Sequence, residues 1–430
     1  MAQFFSRFSG KLQIIITLCL SGFLLLLVFY PKYSEIFAVL LLLVGFSSVI
    51  GIRGRQQGAN LEFYEKLMLG TFAMYGLVSI ISFLYWPFTR ESHMRVEDDL
   101  KFLVCIFLYL SLRRYEFNVM WFVAMMFLVV LLMGLVSLGQ YGGYIDMFTQ
   151  GTDRPSGSVN PMRYAAVALI FLCFVANSWF MEGLKGSFIK LLLILVVCMG
   201  LAACVLTQTR GVWLAIPLLG LLYGGYAYKK AGKGYFIAIL FGGGLLVGLF
   251  SQADFVQKRI DMTVNNFVKY QGGNGNSSLG TRLDMYKASL ILAKEKPFFG
   301  HGLGVFRDKS RELKNSGVLG QKVRAEVGVR KTPHNEFFQA LVERGLFGLA
   351  ITILLFAVPG FIFYRAVKSG SEKITYYGLC GLSMLTVFFV AGQTGTLFNH
   401  NLFTNLYIIM VLLFVSQIRV EEKKAGLVGG

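Results

Sequence analysis

The sequence predicts an all-α integral membrane protein: about twelve transmembrane helices, with one large helical periplasmic loop between spans nine and ten. Three observations lead there: composition, the number of apolar stretches, and the placement of positive charge. Of 430 residues, 55% are hydrophobic and 15% charged, and the mean hydropathy is +0.62. A water-soluble chain of this length could not hide so much apolar surface.

A spanning helix needs ~20 mostly apolar residues. Such stretches centre on 12–29, 34–52, 67–88, 102–112, 118–138, 164–181, 190–207, 211–227, 235–251, 346–364, 375–393 and 402–417. The first is too long for a signal-peptide core and lacks a small-residue cleavage site, so it reads as a retained span. The fourth, "FLVCIFLYLSL", is the shortest. All six cysteines (Cys19, Cys105, Cys173, Cys198, Cys204 and Cys380) fall within these stretches. None is in a loop, so the pattern supports neither a disulfide framework nor a cysteine metal site.

With both termini in the cytoplasm, the inside segments carry a clear excess of Lys and Arg, as in "RGRQQG", "KKAGK" and "RVEEKK". The short outside loops are balanced, and reversing the topology would reverse the bias. The chain then divides into 1–251 with spans one to nine, the periplasmic segment 252–345, and 346–430 with three spans and a cytoplasmic tail. The middle segment holds 16 Lys/Arg against 9 Asp/Glu. That excess suits either anionic partners such as phosphates and acidic sugars, or simply a solvated basic surface. Within it, "DFVQKRIDMTVNNFV" puts Val256, Ile260, Val264 and Phe267 on one face of a helix suited to the membrane interface. "QGGNGNSSLG" reads as a linker, "TRLDMYKASLILAKEK" as a second helix ending before Pro297, and "PFFGHGLG" as a glycine-rich turn.

The stretch "KTPHNEFFQALVERGLFG", 331–348, carries the sharpest chemical signal. Thr332 can cap a helix and Pro333 suits its first position, which places His334 in the first turn. The helix dipole there disfavours a second proton, leaving the neutral imidazole that a general base requires. The competing reading is a histidine that merely caps an interfacial helix. Glu343 lies nine residues on, about half a turn out of phase, so it is expected to orient structure near Arg344 and Gly345 rather than pair with His334. Arg210 in "TQTRGVW", Arg154 in "DRPSGSVNP" and Arg282 in "GTRLD" all fall on the predicted outer side. Guanidinium groups suit bidentate contact with phosphate, although interfacial arginines also reach out to lipid headgroups. His93, His301, His334 and His400 are scattered over four segments without metal-ligand spacing, so no metal is expected, and a turn or cap role is expected for His301 and His400. With no phosphate-binding loop and no large cytoplasmic domain, no ATP or other cofactor is expected, and any transferred group must arrive activated.

"RPSGSVNP", "TQTRG", "GTRLDMYKASLILAKEKPFFGHGLG" and "TPHNEFFQALVERGLFG", in this order, resemble the O-antigen ligase and polymerase superfamily of membrane glycosyltransferases. The resemblance runs the length of the chain. It implies transfer of O-antigen polysaccharide from undecaprenyl pyrophosphate to a sugar hydroxyl of lipid A–core oligosaccharide, at the periplasmic face of the bacterial inner membrane. It also implies that Arg154, Arg210 and Arg282 hold the pyrophosphate and that His334 is the base, with Glu343 and His301 as possible supports. Partners are then the two glycolipids and membrane lipids, with no nucleic acid. Many relatives read Asn-Pro-Asn where this chain has Asn160-Pro161-Met162, which leaves the role of the third position open. Within the superfamily the alternatives are a polymerase or a protein O-oligosaccharyltransferase. From another class, a twelve-span secondary transporter would place charges near mid-membrane, where these stretches have almost none.

Overall fold

A computed structural model describes residues 2–50, 61–85, 90–145, 154–184, 186–234, 236–237, 244, 254–271, 278–319 and 327–426. Among these residues there is no strand. The helices are α1 (Ala2–Leu26), α2 (Pro31–Ile50), α3 (Phe63–Tyr85), α4 (Arg90–Leu112), α5 (Val119–Tyr141), α6 (Pro161–Asn177) and α7 (Ser187–Leu206). There follow a single turn α8 (Arg210–Trp213), α9 (Ala215–Ala231), α10 (Asp254–Gln271), α11 (Ser278–Glu295) and α12 (Phe306–Asn315). The chain closes with α13 (Glu336–Val367), α14 (Glu372–Gly392) and α15 (Asn401–Lys424).

Nine segments among the described residues are long and apolar enough to cross a membrane, and α1 adds a shorter apolar stretch, Lys11–Leu26. The chain is therefore a multi-pass helical membrane protein. The expected span 235–251 lies outside the described residues apart from isolated positions, as does most of the linker "QGGNGN". Burial sorts the helices into a centre and a rim. The buried share of the spanning window is 94% in α15, 83% in α14 and 78% in α6, against 28% in α2 and α7. A helix that is apolar all round belongs inside, and α6, α14 and α15 form the axis of the bundle.

Two polar clusters mark its ends. At one, Glu65 of α3 accepts a short hydrogen bond from Tyr109 and pairs with Arg113 at 3.3 Å and Arg419 at 3.7 Å. At the other, Asp99 of α4 pairs with Arg344 of α13 and accepts from Ser79 of α3 at 2.7 Å, while Tyr75 lies 4.8 Å below the guanidinium. These charges stand just past the apolar stretches read from sequence. Burying an ion is tolerable only when it is paired and hydrogen-bonded, and both clusters meet that condition.

The fourth expected span, 102–112, falls in a longer helix that is not among the nine apolar segments. Helix α4 runs for 23 residues, because its polar first half finds partners that a hydropathy window cannot register: Arg344 for Asp99, and Asn401 for Lys101. In α10, Ile260 and Val264 are exposed, consistent with the interfacial face expected of that helix. The segment after it has a small core of its own, where Met285 and Leu292 of α11 meet Phe306 and Leu313 of α12 and Val342 of α13.

Helix α13 is broken at Gly345 (φ 65°, ψ −159°). The left-handed φ excludes most side chains, and an added Cβ would lie 2.3 Å from the Phe298 carbonyl carbon. The backbone groups freed by the break are taken up by the "PFFGHGLG" turn. Val342 and Glu343 carbonyls accept from the His301 and Gly302 amides at 2.8 and 3.0 Å, and the Leu346 amide donates to Pro297 O at 2.7 Å. A broken helix in a membrane protein survives when neighbouring backbone re-satisfies it, and here one turn does so.

Candidate functional site

A cavity of about 1030 Å³ opens at the bundle end where α2, α4, α6 and α15 begin and α14 finishes. His334 lies in its wall, half-buried. The expected helix start is corrected. Thr332 is not the cap and His334 is not in the first turn; α13 begins at Glu336 and Asn335 is its cap. Asn335 Oδ1 accepts from the Phe337 and Phe338 amides at 2.9 and 3.1 Å, an interaction that a threonine three residues earlier cannot make. His334 instead sits just outside the helix with φ 55°. Among the described residues only one other non-glycine has positive φ, Gln208 at 53°, in "TQTRG". Such backbone costs about 1–3 kcal/mol and gathers at functional sites. Both strained positions fall in motifs singled out by sequence.

The loop between α14 and α15, "QTGTLFNH" at 393–400, holds these motifs together. The Gln393 carbonyl accepts from the Tyr286 hydroxyl at 3.0 Å and from Asn335 Nδ2 at 3.3 Å. Thr396 and Thr332 hydroxyls meet at 3.4 Å. Gly211, next to Arg210, fits against Thr394, where a Cβ would come within 2.6 Å of the hydroxyl oxygen. Arg282 is one turn before Tyr286 in α11 and acts on it electrostatically. Burial raises the Tyr286 hydroxyl's pKa, and the Arg282 charge partly offsets that rise. The Tyr286 ring stacks on Phe338 at 4.8 Å, which fixes this wall of the site. Arg210, Arg282 and His334 thus belong to segments tied to one short loop.

Arg154 begins the described segment 154–160, whose Ser156 and Gly157 amides donate to Gln140 Oε1 at 2.9 and 3.1 Å. That segment ends at Asn160, the cap of α6, whose Oδ1 accepts from the Met162 amide. At the third motif position, the Met162 side chain abuts Gly395, where a Cβ would lie 2.4 Å from Cε. Arg154, Arg210 and Arg282 are not among the described residues that line the cavity.

Glu343 and His301 are supports in the backbone sense. Glu343 is fully buried and accepts from the Gly304 amide at 2.8 Å and from Gln339, with Arg95 at 3.7 Å. His301 is buried, with Nε2 2.8 Å from the Leu292 carbonyl and 3.6 Å from Glu295. Burial lowers its pKa below the usual imidazole range. Neither lines the cavity.

Sequence reasoning passed over Arg163, Arg95 and the 393–400 loop, and assigned His400 no more than a turn or cap. Arg163 Nη2 lies 2.9 and 2.8 Å from the two ring nitrogens of His400. Burial first, then Arg163, Arg95 and His334, push the His400 pKa from 6.5 down to about 3. The one available signal was the polar run "QTGTLFNHN" between two apolar spans, a place where irregular backbone is tolerated only if it lines a cavity. Of the acids in the cavity wall, Glu91 is engaged at 3.1 Å by both Arg307 and Lys331, and Asp98 at 2.8 Å by Lys101; Glu35 and Glu97 complete the set. Among the described residues, no group of three His, Cys, Asp or Glu is placed to hold a metal ion.

The His400 shift has a measurable consequence. The folded state holds the ring neutral while the unfolded chain takes up a proton below about 6.5. The associated stability is complete above that pH and drains as pH falls towards 3. Thermal unfolding of the wild type between pH 7 and pH 4 should therefore fall more steeply than that of His400→Gln. Parallel slopes would show that the ring is not held neutral.

Fold and site together define a multi-pass helical membrane protein with a strained histidine in a cationic, bundle-end cavity. Residues 194–353 match the family model described as O-antigen ligase, a stretch that includes Arg210, Arg282 and His334. An uncharacterized protein of Haemophilus influenzae (strain ATCC 51907 / DSM 11121 / KW20 / Rd) is 22% identical over 412 residues, covering 93% of this chain and 97% of that protein. The O-antigen ligase of Escherichia coli (strain K12) is 25% identical over 256 residues, 57% of this chain and 58% of that protein. The chain is thus similar to the O-antigen ligase superfamily, through a family match over residues 194–353 and a distant relative that carries that name.

Proposed function

We propose that this protein transfers O-antigen polysaccharide from undecaprenyl pyrophosphate to a sugar hydroxyl of lipid A–core oligosaccharide, from a site facing the periplasm in the bacterial inner membrane, with both termini cytoplasmic. The observation that supports this reading is the meeting of the segments that carry His334, Arg210 and Arg282 on the 393–396 loop, all three residues lying within the stretch that matches the ligase family.

In the reaction, the acceptor oxygen attacks the anomeric carbon of the donor as the bond from that carbon to the pyrophosphate oxygen breaks. The hydroxyl proton passes to the imidazole of His334, and undecaprenyl pyrophosphate leaves with the bonding electron pair. Arg210 and Arg282, with Arg154, neutralise the charge that develops on the pyrophosphate. A base with no enzyme nucleophile gives one displacement, and therefore inversion at the anomeric carbon, by the logic of inverting glycosidases. No step needs ATP or a metal, because the donor is already activated. Both substrates keep their lipid tails in the bilayer while their sugars meet in the cavity.

The test is incubation of purified protein with lipid-linked glycan and lipid A–core, read as product on the core. Elongated donor instead would identify a polymerase, and glycan on Ser or Thr of a protein an O-oligosaccharyltransferase. Arg210→Ala and Arg282→Ala should each remove most transfer without preventing insertion. Lysine should restore part of it, since a point charge cannot form the bidentate contact. Full activity in both alanine variants would assign these arginines to lipid headgroups.

A further inference from the structure

Arg163 is the third residue of α6, and its guanidinium faces the cavity with a neutral imidazole, His400, as its partner. Among the described residues no carboxylate lies within 4.0 Å of it. A cation in the first turn of a helix also opposes the helix dipole, so the site is doubly positive. Arg95 lines the same cavity, with Nη2 3.7 Å from the buried Glu343, and its charge, like those of Arg163 and His334, acts on His400. Arg95 Nη1 is sealed from solvent and has no hydrogen-bond partner, and neither does Asn399 Nδ2 in the cavity wall. Buried donors are nearly always satisfied, and half-buried cations are usually paired. Here one guanidinium without a carboxylate, one spare guanidinium nitrogen and one spare amide line the same cavity as the histidine assigned as base.

We propose that Arg95, Arg163 and Asn399 form a second anion subsite, separate from the pyrophosphate arginines, which holds a phosphate group on the acceptor. The inference rests on the transfer reading above. In an in-line displacement the attacking and leaving oxygens lie on opposite faces of the anomeric carbon. Groups beside the base therefore serve the acceptor, and Arg210 and Arg282, off the cavity, serve the leaving group. Two guanidiniums match a phosphate dianion better than they match one carboxylate. The subsite makes Arg163 a specificity-determining residue rather than a catalytic one: it orients the acceptor so that one hydroxyl meets His334.

The experiment compares two acceptors, lipid A–core with its phosphates and the same material treated with phosphatase, on purified full-length protein in lipid nanodiscs. Arg163→Gln should raise the acceptor KM roughly tenfold or more, the loss expected for a charge-assisted contact, and leave the donor KM unchanged. On the dephosphorylated acceptor, wild type and variant should converge. Asn399→Ala should move the acceptor KM in the same direction by less, and Arg163→Lys should recover part of the loss. A rise in donor KM, or an equal loss on both acceptors, would overturn the subsite. If wild type yields no product with either acceptor, it is the transfer reading that fails. Binding of inorganic phosphate to wild type against Arg163→Gln, measured without turnover, then decides the subsite alone. Weaker binding by the variant supports it, and equal binding overturns it.

Discussion

Replacing His334 with glutamine is expected to lower the transfer rate by roughly a hundred- to ten-thousand-fold, the range of a general base removed from a positioned hydroxyl. Glutamine keeps the polar contact and approximate length but cannot accept the proton. The substitution should be quiet structurally, because α13 is capped by Asn335 and not by His334, so the helix start survives. Left-handed backbone at 334 is somewhat harder for glutamine than for histidine, and asparagine, which tolerates it better, provides the control. Binding of the lipid-linked donor should persist in both variants, as the arginines proposed to hold it are untouched. Glycan transfer by His334→Gln at near wild-type rate would reduce His334 to a residue at an interfacial helix start.

The second large effect concerns stability. Asp99→Asn keeps the shape of the side chain but leaves Arg344 buried without its counter-ion. Removing one partner of a buried ion pair costs about 3–5 kcal/mol, because the other charge stays out of water uncompensated. Ser79 would still accept from Arg344 Nε at 3.1 Å and Tyr75 would still lie under the guanidinium, so these contacts soften the loss. Replacing both residues by leucine should recover much of it, since a buried pair is often no more stable than well-packed apolar side chains. Thermal unfolding of the three proteins measures this, and an Asp99→Asn protein within about 1 kcal/mol of wild type would show that Glu343 or Glu336 had taken over as counter-ion.

What sequence made legible were the features written in single residues or in long averages. Apolar stretches averaged over ~20 residues anticipated the nine long apolar segments found among the described residues, because burial in lipid constrains every residue of a span. The motifs around Arg210, Arg282 and His334 belong to segments that meet on the 393–400 loop, and Glu343 bonds to Gly304 and Gln339. What escaped depended on partners far along the chain. The polar half of α4 is helical because Arg344, 245 residues from Asp99, is there to meet it. The start of α13 was misplaced because proline and threonine signal a helix locally, while Asn335 also donates to Gln393, 58 residues on. The break at Gly345 is invisible in "ERGLFG", where glycine reads as one more small residue in an apolar run. Its cause is the approach of Phe298. Arg163 was unremarkable in "NPMRYA" until His400 stood beside it.

The 393–400 loop also sets an order of construction. Arg163, Arg210, Arg282 and His334 are all synthesised before the residues that fasten their segments together, and domains form from the N-terminal end as the chain emerges. A ribosome that has just completed His334 has made every residue assigned to the chemistry and none of the loop that joins them. The amide of Asn335, the hydroxyl of Tyr286 and the guanidinium of Arg163 wait for Gln393 and His400. An interrupted chain can hold all the side chains proposed for the chemistry and still be inert, and the described cavity is complete only once α15 is in place.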